Sequence, residues 1–191
     1  NSIPDMSAIL VVKPCPIGDA ELTLDDNSFT YDVEPHLPSV ISVGGNTLYE
    51  GIDYVVTYSN LVSVNAGTYT VMVSGIGNYA GDSAKATYTI SKAANTVIAK
   101  GKTVKLSLAK VNKANQTIAV KKAFDVKTAK GTLTYKKTSG NKKITVAKNG
   151  KITVKKGLAK GTYLIKAKVT AAGNANYAAK TVAVTFKVVV K

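Results

Sequence analysis

An all-β fold made of two tandem β-sandwiches is what this 191-residue chain predicts. Three observations point there. Apolar residues recur at every second position over several stretches, so each strand hides one face and wets the other. Clusters of Gly, Asn and Ser interrupt those stretches at short intervals. One passage also occurs twice. "AGTYTVMVSGIGNYAGDSAKATYTI" at 66–90 and "KGTYLIKAKVTAAGNANYAAKTVAVTFKV" at 160–188 both run Gly-Thr-Tyr, alternating strand, Gly-Asn, Tyr, second alternating strand.

Taken in chain order, "SAILVVKPC" at 7–15 echoes "ATYTISKAA" at 86–94, with Lys13 matching Lys92. Residues 1–13 are therefore expected to be either the last strand of a preceding repeat or a strand given to the first domain. The second is preferred, because an orphan strand exposes its edge. Tyr54, Val56 and Tyr58 share one face, as do Tyr69, Val71 and Val73. After the "SKAAN" connection, only the "KKAF" region near 121–124 suggests a short helical bend. "VAKNGKITV" reads as a hairpin whose Asn149-Gly150 suits the two positive φ values of a type I′ turn. Tyr163, Ile165, Ala167 and Val169 oppose Lys166 and Lys168 across the next strand. In the last, Val182, Val184, Phe186, Val188 and Val190 oppose Thr181, Thr185 and Lys187. About seven short strands per half is the immunoglobulin-like pattern, here without the Cys…Trp…Cys core of antibody domains. The two sandwiches are expected at 1–91 and 92–191.

Charge divides at the same place. Residues 1–91 carry two lysines against ten acidic residues, a balance of −8. Residues 92–191 carry twenty-four lysines and a single acid, Asp125, a balance of +23. A break this sharp marks a domain boundary, and the opposite signs predict an attraction weakened by salt. Arginine and tryptophan are absent. No apolar run approaches the roughly 20 residues of a membrane helix. With no leader at Asn1 and no anchor at Lys191, the chain reads as a segment of something longer.

The string "FTYDVEPHLPSVISVGGNTLYEGIDYVVTYSN", followed by "NAGTYTVMVSGIGNYAG", resembles the immunoglobulin-like repeats of Gram-positive bacterial surface proteins over roughly residues 20–90. The second half, through "GTLTYKKTSGNKKITVAKNGKITVKKGLAKGTY" and "AAGNANYAA", looks like a related repeat. Two departures stand out: Val33 follows Tyr31-Asp32 where the family usually has glycine, and "SNLVSVNAG" replaces a shorter Asn-rich turn. The resemblance implies an extracellular, wall-associated spacer or adhesion module and supplies no catalytic residues.

Candidate chemistry is sparse. Cys15 is the only cysteine and His36 the only histidine, so neither an internal disulfide nor a structural zinc site is available. "GIGNYA", Gly75 to Ala80, fits a loose dinucleotide fingerprint, but a strand follows where a helix is required. His36, between two prolines in "EPHLPS", reads as an exposed loop residue, and Cys15 in "KPCPIG" as a linker residue. Asp25-Asp26-Asn27 reads as a turn, lacking calcium-loop spacing. Asp125 is the one acid that could assist a Lys–Asn isopeptide bond in the second half; a charged strand-end residue is the plainer reading. The lysines read chiefly as solvated residues that discourage sheet-to-sheet aggregation, then as contacts to an anionic wall polymer or acidic neighbour. Nucleic acid is disfavoured without arginine. Among the ten tyrosines, Tyr31, Tyr49, Tyr79 and Tyr177 are candidates for an exposed sugar-binding surface.

The expected function is a non-enzymatic extracellular module, a spacer, stalk or adhesion repeat of a bacterial surface protein. The alternative is a carbohydrate- or anionic-polymer-binding module using exposed Tyr and Lys. No catalytic, metal or cofactor-binding residue is assigned. The expected partners are neighbouring domains of the same protein and cell-wall polymer or glycan, with the chain itself a monomer.

Overall fold

The computed structural model describes residues 13–191; the expectation for residues 1–13 lies almost wholly outside them. The chain divides into two compact units, Asn1–Ser91 and Lys92–Lys191. Each is a β-sandwich of immunoglobulin-like type.

The first unit contains β1 (Leu22–Leu24), β2 (Ser28–Thr30), β3 (Val40–Val43), β4 (Tyr54–Tyr58), β5 (Gly67–Gly75) and β6 (Ser83–Ser91). Strands β2-β6-β5-β4 form one sheet and β1-β3 the other. Alternation settles the packing: Val71 and Val73 of β5 and Tyr88 and Ile90 of β6 are buried, as are Leu22 and Val43 from the small sheet. Tyr69 stacks on Tyr88 at 5.5 Å, and Phe29 meets Tyr88 edge-on at 6.0 Å.

The second unit contains β7 (Ile98–Gly101), β8 (Thr103–Leu106), α1 (Leu108–Lys113), β9 (Gln116–Ile118), α2 (Val120–Ala123), β10 (Phe124–Lys127), β11 (Leu133–Ser139), β12 (Ile144–Val146), β13 (Ile152–Val154), β14 (Gly161–Ala171) and β15 (Lys180–Val190). Its sheets run β11-β14-β15-β8, β12-β13-β9 and β10-β7. The core is aliphatic around one aromatic group, in which Phe124 lies 5.0 Å from both Tyr135 and Phe186. Ile144, Ile152, Val154, Ile165, Val169 and Val188 fill the space around it. Such a core needs no disulfide at this size.

Two local features depart from expectation. Helix α1 has no counterpart in the sequence reading. Leu108 and Val111 are three apart, and Val111 is fully buried while its neighbours are wet. One and a half turns hold too few positions for a 3.6-residue period to stand out. The hairpin between β12 and β13 is present, but its turn is not type I′. Among the described non-glycine residues only Val33 and Thr128 have positive φ, so Asn149 does not. Gly150 N–H donates to the Ala147 carbonyl at 2.8 Å, Ala147 N–H donates to the Lys151 carbonyl at 2.8 Å, and Gly150 has φ +82°. That is a three-residue loop closed by a glycine bulge. Asn149 serves it differently, accepting from Lys151 N–H at 3.1 Å.

In both units the described chain begins at one pole and ends at the other. In the first, Cys15 N–H donates to Asn78 at 2.7 Å beside the β5–β6 turn, whereas Ser91 ends at the opposite end of β6. In the second, Ala93 N–H donates to Asn176 at 2.9 Å beside the β14–β15 turn. Lys191 ends at the far pole, bonded to Leu106 and Leu108. An early strand runs parallel to the last one each time: β2 beside β6 and β8 beside β15.

Candidate binding surface

Pleating sends β14 and β15 side chains alternately inward and outward, so the buried set fixes the wet one. With Ile165, Ala167 and Val169 buried, Lys166 and Lys168 must project outward. Lys187 projects between buried Phe186 and Val188. Register carries the pattern across the sheet. Lys136 of β11 lies directly opposite Lys168, Lys166 faces Thr185, and Lys187 faces Leu164 on one side and Thr103 on the other. Lys105 projects from β8 opposite Val189. The outward face of β11-β14-β15-β8 thus holds five exposed lysines among threonines, with no acidic residue on its four strands.

Other lysines are structural. Lys137 Nζ donates to the Asn141 and Ile144 carbonyls at 2.6 and 2.7 Å, and its partial burial pushes its pKa down. Lys92 donates to Asn174 at 2.9 Å, Lys143 to Gly157 at 2.7 Å and Lys102 to Lys121 at 3.2 Å, all through backbone carbonyls. A unit with one acid therefore uses ammonium–carbonyl bonds where salt bridges are commoner.

The remaining candidates separate as follows. Among the four tyrosines, Tyr49 is exposed at 63%, while Tyr31, Tyr79 and Tyr177 are half-buried; no flat aromatic platform results. Tyr177 lies under Lys130, whose Nζ is 5.0 Å from the ring centroid. His36 is not the exposed loop residue expected. It stacks on Phe29 at 4.5 Å, its Nε2 lies 3.0 Å from Asp32 Oδ1, and its side chain is 17% exposed. The loop folds back because His36 N–H donates to the Ser63 carbonyl at 3.0 Å, a contact between residues too far apart for any local pattern to signal. Ser63 is buried, but its hydroxyl donates to the Asn60 carbonyl at 2.8 Å, so no Ser–His pair forms.

Cys15 is exposed beside a cavity of about 300 Å³ that also involves Ile17, Val43, Tyr79 and Asp82. The carboxylates of the Asp25-Asp26-Asn27 turn are engaged by backbone N–H groups: Asp25 accepts from Ser39 and Asp26, and Asp26 from Ser28. "GIGNYA" is a 3-10 turn at Gly77–Tyr79 leading into β6. Asp125 is half-buried on β10 opposite Lys100. Asn95, the buried asparagine of the second unit, spends both side-chain atoms on Lys130, at 2.9 and 3.1 Å, and no lysine among the described residues is buried. No isopeptide arrangement is assembled from these residues.

No protein-family model and no curated protein matches the chain. Several solved structures align with the chain at low identity and low TM-score. Chicken VE-cadherin EC1-2 aligns at 16% identity and TM-score 0.36, covering 86% of this chain and 96% of that one. Protocadherin gammaB7 EC3-6 aligns at 10% identity and TM-score 0.39, covering 91% and 50%, so this chain spans about half its length. A SusE-like surface-located polysaccharide-binding protein from Bacteroides thetaiotaomicron aligns at 16% identity and TM-score 0.32, covering 88% and 34%. No helix among the described residues is long and apolar enough to cross a membrane.

Proposed function

We propose that this chain is a non-enzymatic extracellular spacer or adhesion module of a bacterial cell-surface protein, composed of two independently folding sandwiches at 1–91 and 92–191. The observation that carries the reading is mechanical. In each unit the described chain begins at one pole and ends at the other, along a last strand of nine residues in β6 and eleven in β15. At about 3.3 Å per residue, each crossing gains roughly 30 Å or more of reach. Tension on the two ends draws β2 against β6, and β8 against β15, in opposite directions along parallel pairs. Their hydrogen bonds are loaded in shear and must fail together, whereas a hairpin pulled from its open end fails one bond at a time.

Single-molecule pulling tests this. Pulled through its termini, the chain should unfold at clearly higher force than when the second unit is pulled across the open ends of the β14–β15 hairpin. Equal forces in the two geometries would remove the load-bearing reading.

A second reading, binding of an anionic glycan or wall polymer, is favoured by the acid-free lysine face of the second unit. Retention of the 191-residue chain on immobilised polyanion, with release by salt, is its test.

A further inference from the structure

We infer that the outward face of the β11-β14-β15-β8 sheet binds a linear polyol-phosphate chain, running obliquely across the strands over Lys136, Lys168, Lys166, Lys187 and Lys105. The inference rests on the second reading above and names its residues and its ligand class.

Position within the sheet separates this face from ordinary solvated lysine. Lysine that guards against aggregation belongs on edge strands. Lys166, Lys168 and Lys187 sit on β14 and β15, the two central strands, where there is no free edge to guard. The three-stranded sheet β12-β13-β9 shows the contrast: its outward row is Thr117, Thr153 and Thr145 in register, with no lysine among them. Like charges placed directly opposite, as Lys136 and Lys168 are, disfavour the sheet they sit on. No acidic residue of the four strands offsets them. Unlike Lys92, Lys102, Lys137 and Lys143, the five donate to no acceptor among the described residues. Folding alone gains nothing from the arrangement; a bound anion does.

Geometry selects the class of anion. Lys166 and Lys168, two apart on β14, stand about 6.6–6.8 Å apart, and Lys187 and then Lys105 each follow one strand over and two residues along, a step of about 8 Å. A polymer with three carbons between phosphates has six backbone bonds per repeat. Two extended peptide residues also have six and span about 7 Å, close to the steps of this row; a nucleic-acid strand shares that repeat, but the outward face carries no aromatic ring on which bases could stack. Each phosphodiester carries a single diffuse charge, which suits an ammonium point charge; no arginine is present to fork onto carboxylates. Thr185 opposite Lys166 and Thr103 opposite Lys187 offer hydroxyls to the polyol between the charges.

The experiment is calorimetric titration of the whole 191-residue chain with a glycerol-phosphate oligomer across a salt series. It compares Lys136→Gln/Lys166→Gln/Lys168→Gln/Lys187→Gln with a charge-matched control, Lys142→Gln/Lys148→Gln/Lys155→Gln/Lys156→Gln. With about 0.7 counterions released per phosphate on a single-stranded polyanion, the face variant should lose affinity at least tenfold and its log–log salt slope should fall by about 3. The control should stay within about threefold. Equal losses in both variants overturn the face while leaving polyanion binding standing. No binding by the parent chain at low salt overturns both. Heparin and a single-stranded oligonucleotide are the comparison ligands, and equal affinity for either overturns the ligand class. A thermal melt of each variant checks folding. Should the fourfold face variant fail to fold, Lys166→Gln/Lys168→Gln answers the same question with half the change in slope.

Discussion

Val33 sits at φ +76° with 60% of its surface exposed. For a β-branched side chain that conformation costs about 1–2 kcal/mol, since Cβ crowds the following carbonyl. Exposure means little burial offsets it. Glycine removes the clash at an entropic cost of about 0.5–1 kcal/mol. Val33→Gly should therefore raise the first unit's stability by about 0.5–1 kcal/mol in urea melts, and a fall would show that the loop tolerates valine without strain. Tyr88 offers a second gain. Its hydroxyl is buried with no hydrogen-bond partner among the described residues, in a site made by Phe29 and Tyr69. A buried unpaired hydroxyl costs about 1–3 kcal/mol, so Tyr88→Phe should stabilise by about 1 kcal/mol while leaving the ring stack intact. Asp32 has the opposite character. The Glu34 backbone N–H and then His36 hold its pKa below the ordinary 3.8, although burial opposes them. A depressed carboxylate pKa adds stability that is fully present above about 3.8 and is lost as pH falls through the lower folded value. Asp32→Asn should flatten that acid limb of the first unit's stability curve.

The repeated Gly-Thr-Tyr element has one physical purpose in both units. Tyr69 hydroxyl donates to the Asn65 carbonyl at 2.7 Å, and Tyr163 hydroxyl to the Ala159 carbonyl at 2.9 Å, each four residues upstream. The bond ties the loop to the start of the strand it feeds, a corner of the kind seen in sandwich folds. Tyr69→Phe and Tyr163→Phe should each cost about 1 kcal/mol, confined to the transition of the unit that carries the change. The second half of the echo has its own cause. A Cβ at Gly75 would strike the Tyr79 carbonyl, and one at Gly173 the Tyr177 carbonyl, so glycine recurs where the chain turns back four residues later. Elements of this kind are legible because backbone sterics act over a few residues. Helix α1 and the folded-back His36 loop were not, because Val111 and Ser63 matter only once distant strands surround them.

At the scale of the molecule, charge and core separate by unit. Seventeen of the second unit's nineteen buried apolar residues form one cluster at 104–190. Expressed alone, residues 92–191 should melt cooperatively; a molten, non-cooperative fragment would sink the two-module reading. A balance of +23 imposes self-repulsion that added salt screens. The isolated fragment's Tm should rise between low and moderate ionic strength, and Lys→Gln changes on the sheet face should reduce that rise. The reach of each unit, and the direction of its shear-loaded strands, are properties of this scale alone.

The sequence by itself determined the all-β class, the inward and outward faces of β4, β5, β14 and β15, and the change of charge at Lys92. It could do so because strand periodicity is exactly two, and because the hydrophobic effect needs only that one face be hidden. Tertiary structure decided what strand pairing decides: the parallel β2–β6 and β8–β15 contacts, the partial burial of His36, the glycine-bulge form of the 147–151 turn, and the register that sets Lys136 opposite Lys168. These depend on which residues, far apart in the chain, are brought to adjacent places. A local pattern of side chains specifies a face, but only the folded sheet specifies its neighbour.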